Sequence, residues 1–373
     1  MRYYIIAGEA SGDLHASNLM RELKEQDPLA EFRCWGGDLM EQQGGVMVKR
    51  YRDLAFMGFI EVVAHLPTIL RNFRFCKSDI RSFNPDAVIL VDYPGFNLRI
   101  ARFAHKAGLK VFYYISPQLW AWRSSRVKTI RQSVDKMFVI LPFETEFYSK
   151  FNYKVDFVGH PLLDVINEDL SVLKQEQFYS ENNLDNRPLI ALLPGSRRME
   201  IGKMLKVMLS VRSRFPDYQF VVAGAPSLED AFYENLLGGT NIKFVKNQTY
   251  SLLRYSKAAL VTSGTATLET ALMNVPQVVC YKGSMVSYLI ARQLVKIQYI
   301  SLVNLISGKM VVPELIQEDL TRKNLTRELS LILNHETVRQ TMYNQYRELK
   351  NLLGGSGASS RTATCIVQYL KSK

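Results

Sequence analysis

The sequence predicts an α/β protein built from two facing, doubly wound parallel-sheet domains, and three observations predict it. Apolar runs of strand length alternate with helix-period segments almost from end to end, which is the pattern of βα units and hence of parallel sheets. The alternation lapses over a polar, poorly patterned stretch, Asn167–Arg187, and restarts beyond it. The 373 residues, 47% hydrophobic and 22% charged, are enough for two domains that each bury a core.

The elements follow in order. Arg2–Ala7 is a β-branched and aromatic run, closed by the glycine-bounded segment Gly8-Glu9-Ala10-Ser11-Gly12. Asp13–Gln26 comes next, with Ala16, Leu19, Met20 and Leu23 on one helical face. Ala87–Val91 reads as a strand, Leu98–Ala107 as a helix and Lys110–Ile115 as a strand. After Asn186 the same grammar gives a strand at Leu189–Leu193, a helix from about Glu200 to Arg214 and a strand at Gln219–Ala223. Further strands at Ala258–Thr262 and Gln277–Tyr281 flank a helix at Ala266–Met273. Gly354-Gly355-Ser356-Gly357 is a joint before a last helix, Ser359–Tyr369. The expected domains are 1–166 and 187–350, with 351–373 returning to pack on the first. Parallel sheets place ligands at the carboxyl ends of their strands, so the expected site is the cleft between the two domains.

Composition excludes several classes. No apolar run approaches the roughly 20 residues of a membrane-spanning helix, and Tyr3–Gly8 runs into Glu9 too soon for a secretory signal. Cys34, Cys76, Cys280 and Cys365 lie far apart with no CxxC pair, which suggests neither a disulfide framework nor a zinc site. The expectation is a reduced, cytoplasmic protein. Its net charge of +12 points to nucleic acid, an anionic membrane face or an anionic substrate, and it clusters at Arg71–Arg81 and Arg123–Lys136. Nucleic-acid binders usually interleave basic residues with stacking aromatics or carry a recognisable module, and neither is visible.

Two loops carry the strongest chemistry. Pro194-Gly195-Ser196-Arg197-Arg198 follows a strand and opens a helix. Glycine permits close backbone approach, the helix N-terminus is an anion site, and Arg197 suits a bidentate phosphate contact. Thr262–Glu269 (TSGTATLE) repeats the arrangement, with Thr265 at a helix start and Glu269 one turn in, placed for ribose hydroxyls. Each loop also reads as an ordinary strand–turn–helix link, Thr265 being then a simple cap; two of them in one domain suit a nucleoside diphosphate. In the first half Asp92 closes the buried strand Ala87–Val91, either as a general base or as the holder of the Pro94-Gly95 turn. Within Leu66–Phe83, Leu70 and Phe73 stand among Arg71, Arg74, Lys77 and Arg81, the make-up of an interfacial helix or of a helix packed on its own domain. GxGxxG, GxxxxGK[ST], HExxH and Asp-x-Asp are all missing, so neither a dinucleotide nor an obligate divalent metal is expected.

Together these stretches resemble the lipid-A-disaccharide synthase family, inverting glycosyltransferases of the GT-B type. The matching segments are GEASGD (8–13), AFMGFIEV (55–62), Asp92–Asn97, YISPQLWAWRSSR (114–126), LPFE (141–144) and FVGHPL (157–162). LLPGSRRxE (192–200), TSGTATLE (262–269) and SLVNLI…VVPELIQ (301–317) complete the set. The resemblance implies transfer of 2,3-diacylglucosamine from UDP-2,3-diacylglucosamine to 2,3-diacylglucosamine 1-phosphate, giving a β-1,6 disaccharide and UDP. It implies Asp92 as base and Glu9, Ser11, Gly195, Ser196, Arg197, Thr265, Glu269, Asn304 and Gln317 as substrate-binding residues. No cofactor or metal is implied. The expected partners are the two substrates and the anionic inner face of the inner membrane, with Leu70, Arg71, Phe73, Arg74, Lys77 and Arg81 as the expected peripheral contact; nucleic acid is not expected, and a homodimer is compatible. Two departures stand out: Val303 replaces a usual proline, and Gly95 replaces a common aspartate. The rival readings are another UDP-sugar enzyme, such as a UDP-N-acetylglucosamine 2-epimerase or a lipid II-forming transferase, and a non-catalytic UDP-sugar sensor.

Overall fold

The computed structural model describes residues 1–54, 66–122, 124–168, 173–283 and 298–372. The AFMGFIEV motif at 55–62 and Arg123 lie outside the described residues. The chain forms two compact units, Met1–Asp164 with Leu353–Lys373, and Val165–Leu352.

In the first unit, β1 (Arg2–Ala7), β2 (Glu31–Gly36), β3 (Val46–Arg50), β4 (Ala87–Val91), β5 (Lys110–Tyr114), β6 (Lys136–Val139) and β7 (Asp156–Phe157) make one sheet. Its order is β3-β2-β1-β4-β5-β6-β7, parallel throughout. β4 is buried along its whole length, which is why Ala-Val-Ile-Leu-Val reads as a continuous apolar run. The strand order reverses between β1 and β4, so the loops after these two strands diverge and leave a crevice at their carboxyl ends. Asp13, at the end of the GEASGD motif, is structural. Its buried carboxylate accepts the N–H groups of Gly37 (2.7 Å), Leu39 (3.2 Å) and Met40 (3.2 Å), capping the short Asp38–Gln42 helix.

The last helix, Ala358–Lys371, packs against the Ala10–Gln26 helix of the first unit. Asp164 caps it, accepting the N–H groups of Gly357, Ala358 and Ser359. Arg361 donates back to the Val158 carbonyl at 2.8 Å, and a side chain at Gly159 would collide with that guanidinium. The two chain segments that pass between the units are thus fastened to each other by hydrogen bonds within the first.

The second unit holds β8 (Leu189–Leu193), β9 (Gln219–Gly224), β10 (Lys243–Lys246), β11 (Ser256–Thr262), β12 (Gln277–Tyr281) and β13 (Glu314–Ile316). The order is β10-β9-β8-β11-β12-β13, again all parallel, with the reversal between β8 and β11. The stretch expected to be a linker differs from that expectation. Residues Gln175–Glu181 form a helix whose Phe178 is fully buried in the core of the second unit, with Leu173, Tyr179 and Leu184 packed beside it. A two-turn helix with one deep anchor has too few apolar positions to show a period, so it reads as polar loop.

Candidate functional site

A cavity of about 410 Å³ opens at the carboxyl ends of β8, β9 and β11, at the reversal of strand order in the second unit. Both anion-type loops line it, contributing Gly195, Ser196, Arg197, Thr265 and Glu269. Gly195 has φ +108°, and a Cβ there would stand 2.5 Å from the Glu200 carboxylate, so only glycine closes this turn. Burial pushes the Glu200 carboxyl up, while Arg197 and the Ser196 N–H favour its charged form. The exposed Arg197 occupies the N-cap of the Arg198–Leu209 helix. Across the cavity Gly264, with φ +153° and nothing within 4 Å of a would-be Cβ, leads into the Thr265–Leu272 helix. Glu269 accepts the Tyr250 hydroxyl at 3.1 Å, and burial raises its carboxyl above the usual range. The Thr262 hydroxyl also lines this space, buried and without a partner among the described residues. The cavity therefore offers two helix N-termini, a cation and small hydroxyls, a chemistry that suits a diphosphate.

Asn304 has a different task from the one its motif suggests. Its Nδ2 donates to Val312 O and Glu314 Oε1, both at 2.8 Å, and its Oδ1 accepts the N–H groups of Val311 (2.7 Å) and Val312 (2.9 Å). The buried amide is engaged within the chain, where it braces the 301–314 loop. Glu314, which the sequence reading passed over, is the hub of that brace. It accepts the N–H groups of Ile300 and Ser301 at 3.0 Å and the Ser301 hydroxyl at 2.7 Å. Ser263, a residue of the cavity wall, donates in turn to the Ile300 carbonyl at 2.9 Å. Val303 is fully buried in the first turn of the Leu302–Ser307 helix, whose start is fixed by Ser301 accepting the Asn304 N–H. Gln317 follows β13 with φ +51°; its N–H donates to Tyr281 O at 2.8 Å, and its buried Nε2 lacks a partner among the described residues.

In the first unit, Asp92 stands at the end of β4, beside the Gly8–Glu9 turn that ends β1, at the reversal of that sheet. Glu9 is the exposed N-cap of the Ala10–Gln26 helix, and Ser11 is exposed in its first turn. Asp92 and Tyr93 both adopt left-handed backbone, φ +44° and +46°, a conformation costing on the order of 1–3 kcal/mol for each non-glycine residue. Neighbours hold them there. The Asp92 N–H donates to Tyr114 O (3.1 Å), while its carbonyl accepts Asn97 Nδ2 (2.8 Å) and the Tyr113 hydroxyl (2.5 Å). The Tyr93 ring lies over Gly8, where a Cβ would come within 2.3 Å of it. Burial pushes the Asp92 carboxyl up to about 7, the negative charge of Glu9 adds to the rise, and the Tyr93 N–H opposes it. A carboxyl titrating near neutrality is matched to proton abstraction. Gly95 is exposed, with open space around it.

The Leu66–Phe83 helix requires another correction. Phe73 does not face outward. It is 7% exposed and stacks on Phe96 at 4.4 Å, with the Arg99 guanidinium 5.1 Å from its ring. The outward ring is Phe75, 46% exposed, on a stripe with Leu70 (45%), Arg71, Arg74 and Arg81. Lys77 is half-buried, and both it and Arg81 lie over the Phe103 ring, at 5.5 and 4.9 Å. The helical period separates the two rings: they lie about 200° apart around the helix, and Phe73 shares its face with Ile69, Cys76 and Ile80, all packed in the core. Glu144 of the LPFE motif is a buried structural carboxylate that accepts the N–H groups of Ile140 (3.2 Å) and Leu141 (2.9 Å). Among the described residues no three His, Cys, Asp or Glu side chains converge in a set fit for a metal, and no helix is long and apolar enough to cross a membrane.

Comparison with known proteins adds a second line. The lipid-A-disaccharide synthase of Geobacter sulfurreducens is 39% identical over 376 residues, 99% of this chain and 97% of that one. That of Nitrosococcus oceani is 38% identical over 373 residues, 98% and 96% of the two chains. Among solved structures, UDP-GlcNAc 2-epimerase from Neisseria meningitidis bound to UDP-GlcNAc matches with a TM-score of 0.68 at 13% identity over the full length of both chains. The calicheamicin glycosyltransferase matches with a TM-score of 0.63 at 15% identity, over 100% of this chain and 98% of that one. These two show a shared fold, the GT-B arrangement of two doubly wound units. The model of the lipid-A-disaccharide synthetase family matches residues 3–368, and with two near-full-length relatives beside it the chain belongs to that family of GT-B hexosyltransferases.

Proposed function

We propose that the chain performs the lipid-A-disaccharide synthase reaction with Asp92 as base and the second-unit cavity as the donor site. The reaction moves 2,3-diacylglucosamine from UDP-2,3-diacylglucosamine to 2,3-diacylglucosamine 1-phosphate, and releases UDP. The observation that carries the assignment is the cavity lined by Gly195–Arg197 and Thr265–Glu269. The acceptor's primary hydroxyl attacks the anomeric carbon and loses its proton to the Asp92 carboxylate. One displacement inverts that centre as the bond to the UDP oxygen breaks. Charge developing on the leaving diphosphate is met by Arg197 and by the N-termini of the Arg198–Leu209 and Thr265–Leu272 helices.

Both substrates are acylated, and the outward stripe of Leu70, Arg71, Arg74, Phe75 and Arg81 supports a peripheral seat on an anionic cytoplasmic membrane face. The test is mass spectrometry of products from the acylated donor and the monosaccharide phosphate, run beside a non-acylated UDP-sugar. Disaccharide and UDP from the acylated pair are expected. Epimerised UDP-sugar with no disaccharide would refute the assignment.

A further inference from the structure

We propose that Tyr113 is a positioning residue for the transfer reaction, acting through the main chain of Asp92; the inference rests on Asp92 being the base. Tyr113 is fully buried in β5, paired in register with Leu90 of β4, two residues before Asp92. Its ring belongs to the core, a role phenylalanine would fill equally well. The hydroxyl is what differs. A buried hydroxyl must find an acceptor, and this one donates to the Asp92 carbonyl at 2.5 Å.

That carbonyl is where the strain of the loop is held. Rotating the peptide plane between Asp92 and Tyr93 would carry Tyr93 out of the left-handed region, through its φ and the Asp92 ψ, while leaving the Asp92 φ positive. The rotation swings the Asp92 carbonyl away from Tyr113 and Asn97, and swings the Tyr93 N–H, on the same plane, away from the Asp92 carboxyl whose charged form it favours. Tyr113 and Asn97 grip one end of this plane, and the base is oriented by the other. Asn97 is committed more widely, since its Nδ2 also reaches the carbonyls of Val91 (3.2 Å) and Ile6 (3.4 Å). Tyr113 is therefore the cleaner probe.

Tyr113→Phe removes one oxygen and leaves the ring. The expected result is a folded enzyme with unchanged UDP affinity and donor KM, and kcat lower by about tenfold, the scale of one lost buried hydrogen bond. Release of the Tyr93 N–H takes away a group that favours the charged carboxylate, so the acid limb of the kcat/KM profile should move to higher pH. In an Asp92→Asn background the same substitution should cost nothing further, because the two act through one group. Tyr148→Phe, which removes another buried hydroxyl of the same core, bonded to Ser116 at 2.7 Å, should leave the acid limb in place. An acid limb that stays put or moves down in Tyr113→Phe, or a loss that adds fully to that of Asp92→Asn, overturns the inference while leaving the base assignment standing. Near-normal turnover of Asp92→Asn alone overturns both.

Discussion

Replacing Phe73 and Phe75 by serine, one at a time, separates the inward face of the Leu66–Phe83 helix from its outward face. Phe73 is 7% exposed and stacks on Phe96 at 4.4 Å. Truncating so buried a ring costs about 3–5 kcal/mol in lost transfer and cavity energy. At about 2–4 °C per kcal/mol for a unit of this size, Phe73→Ser should lower the melting temperature of the first unit by roughly 10 °C. Phe75 is 46% exposed, so its loss should cost less than about 1 kcal/mol of stability. Liposome binding should show the reverse order. Half a phenylalanine side chain withdrawn from the acyl boundary is worth about 1–1.5 kcal/mol, roughly a tenfold weaker partition, at low and high salt alike. Combined replacement of Arg71, Arg74 and Arg81 by serine should weaken binding mainly at low ionic strength, because screening removes the attraction of exposed cations to anionic headgroups. The assays are thermal unfolding followed by circular dichroism, and co-sedimentation with vesicles containing anionic lipid. Unaltered melting of Phe73→Ser would refute the inward placement. Wild-type sedimentation of Phe75→Ser and of the arginine triple variant would refute the membrane face.

Arg197→Ala should weaken UDP binding about 10- to 150-fold in titration calorimetry, the worth of a charge-assisted contact of about 1.5–3 kcal/mol, and EDTA should leave wild-type turnover intact. Loss of activity in EDTA, restored by magnesium, would contradict this account. Asp92→Asn should abolish most turnover yet stabilise the fold at alkaline pH. A folded-state carboxyl near 7, above its unfolded value of about 3.9, penalises the native state when ionised. The penalty is full above pH 7 and fades as the pH falls from there towards 4, so the stability gap between wild type and variant should close over that range. A gap that widens on acidification would rule out the raised carboxyl.

The alternation of strands and helices was legible because it is local. β4 and β8 are unbroken apolar runs, β1 and β11 each contain one, and Gly8, Gly195 and Gly264 punctuate these strands where the chain must turn at a strand's carboxyl end. Short edge elements such as β3 and β10 were not, since a strand with half-exposed residues on both faces carries no clean period. The Gln175–Glu181 helix was lost for a related reason, its place in the second core resting on one deeply buried ring.

Sequence alone determined the fold class, the two strand–loop–helix turns and the carboxylate at the end of β4, because turn chemistry and helix starts depend on residues within a few positions of each other. The tertiary structure decided what each side chain does there. Asn304 became a brace only when Val311, Val312 and Glu314 folded back onto it. Phe73 gained its stacking partner only when the Pro94–Lys106 helix supplied Phe96. Burial, and then the charge of Glu9, raised the Asp92 carboxyl only once β1 and β4 had paired and brought the two loops together. Such contacts join residues far apart in the chain, and their energies depend on desolvation and distance, quantities that exist only once the chain is packed.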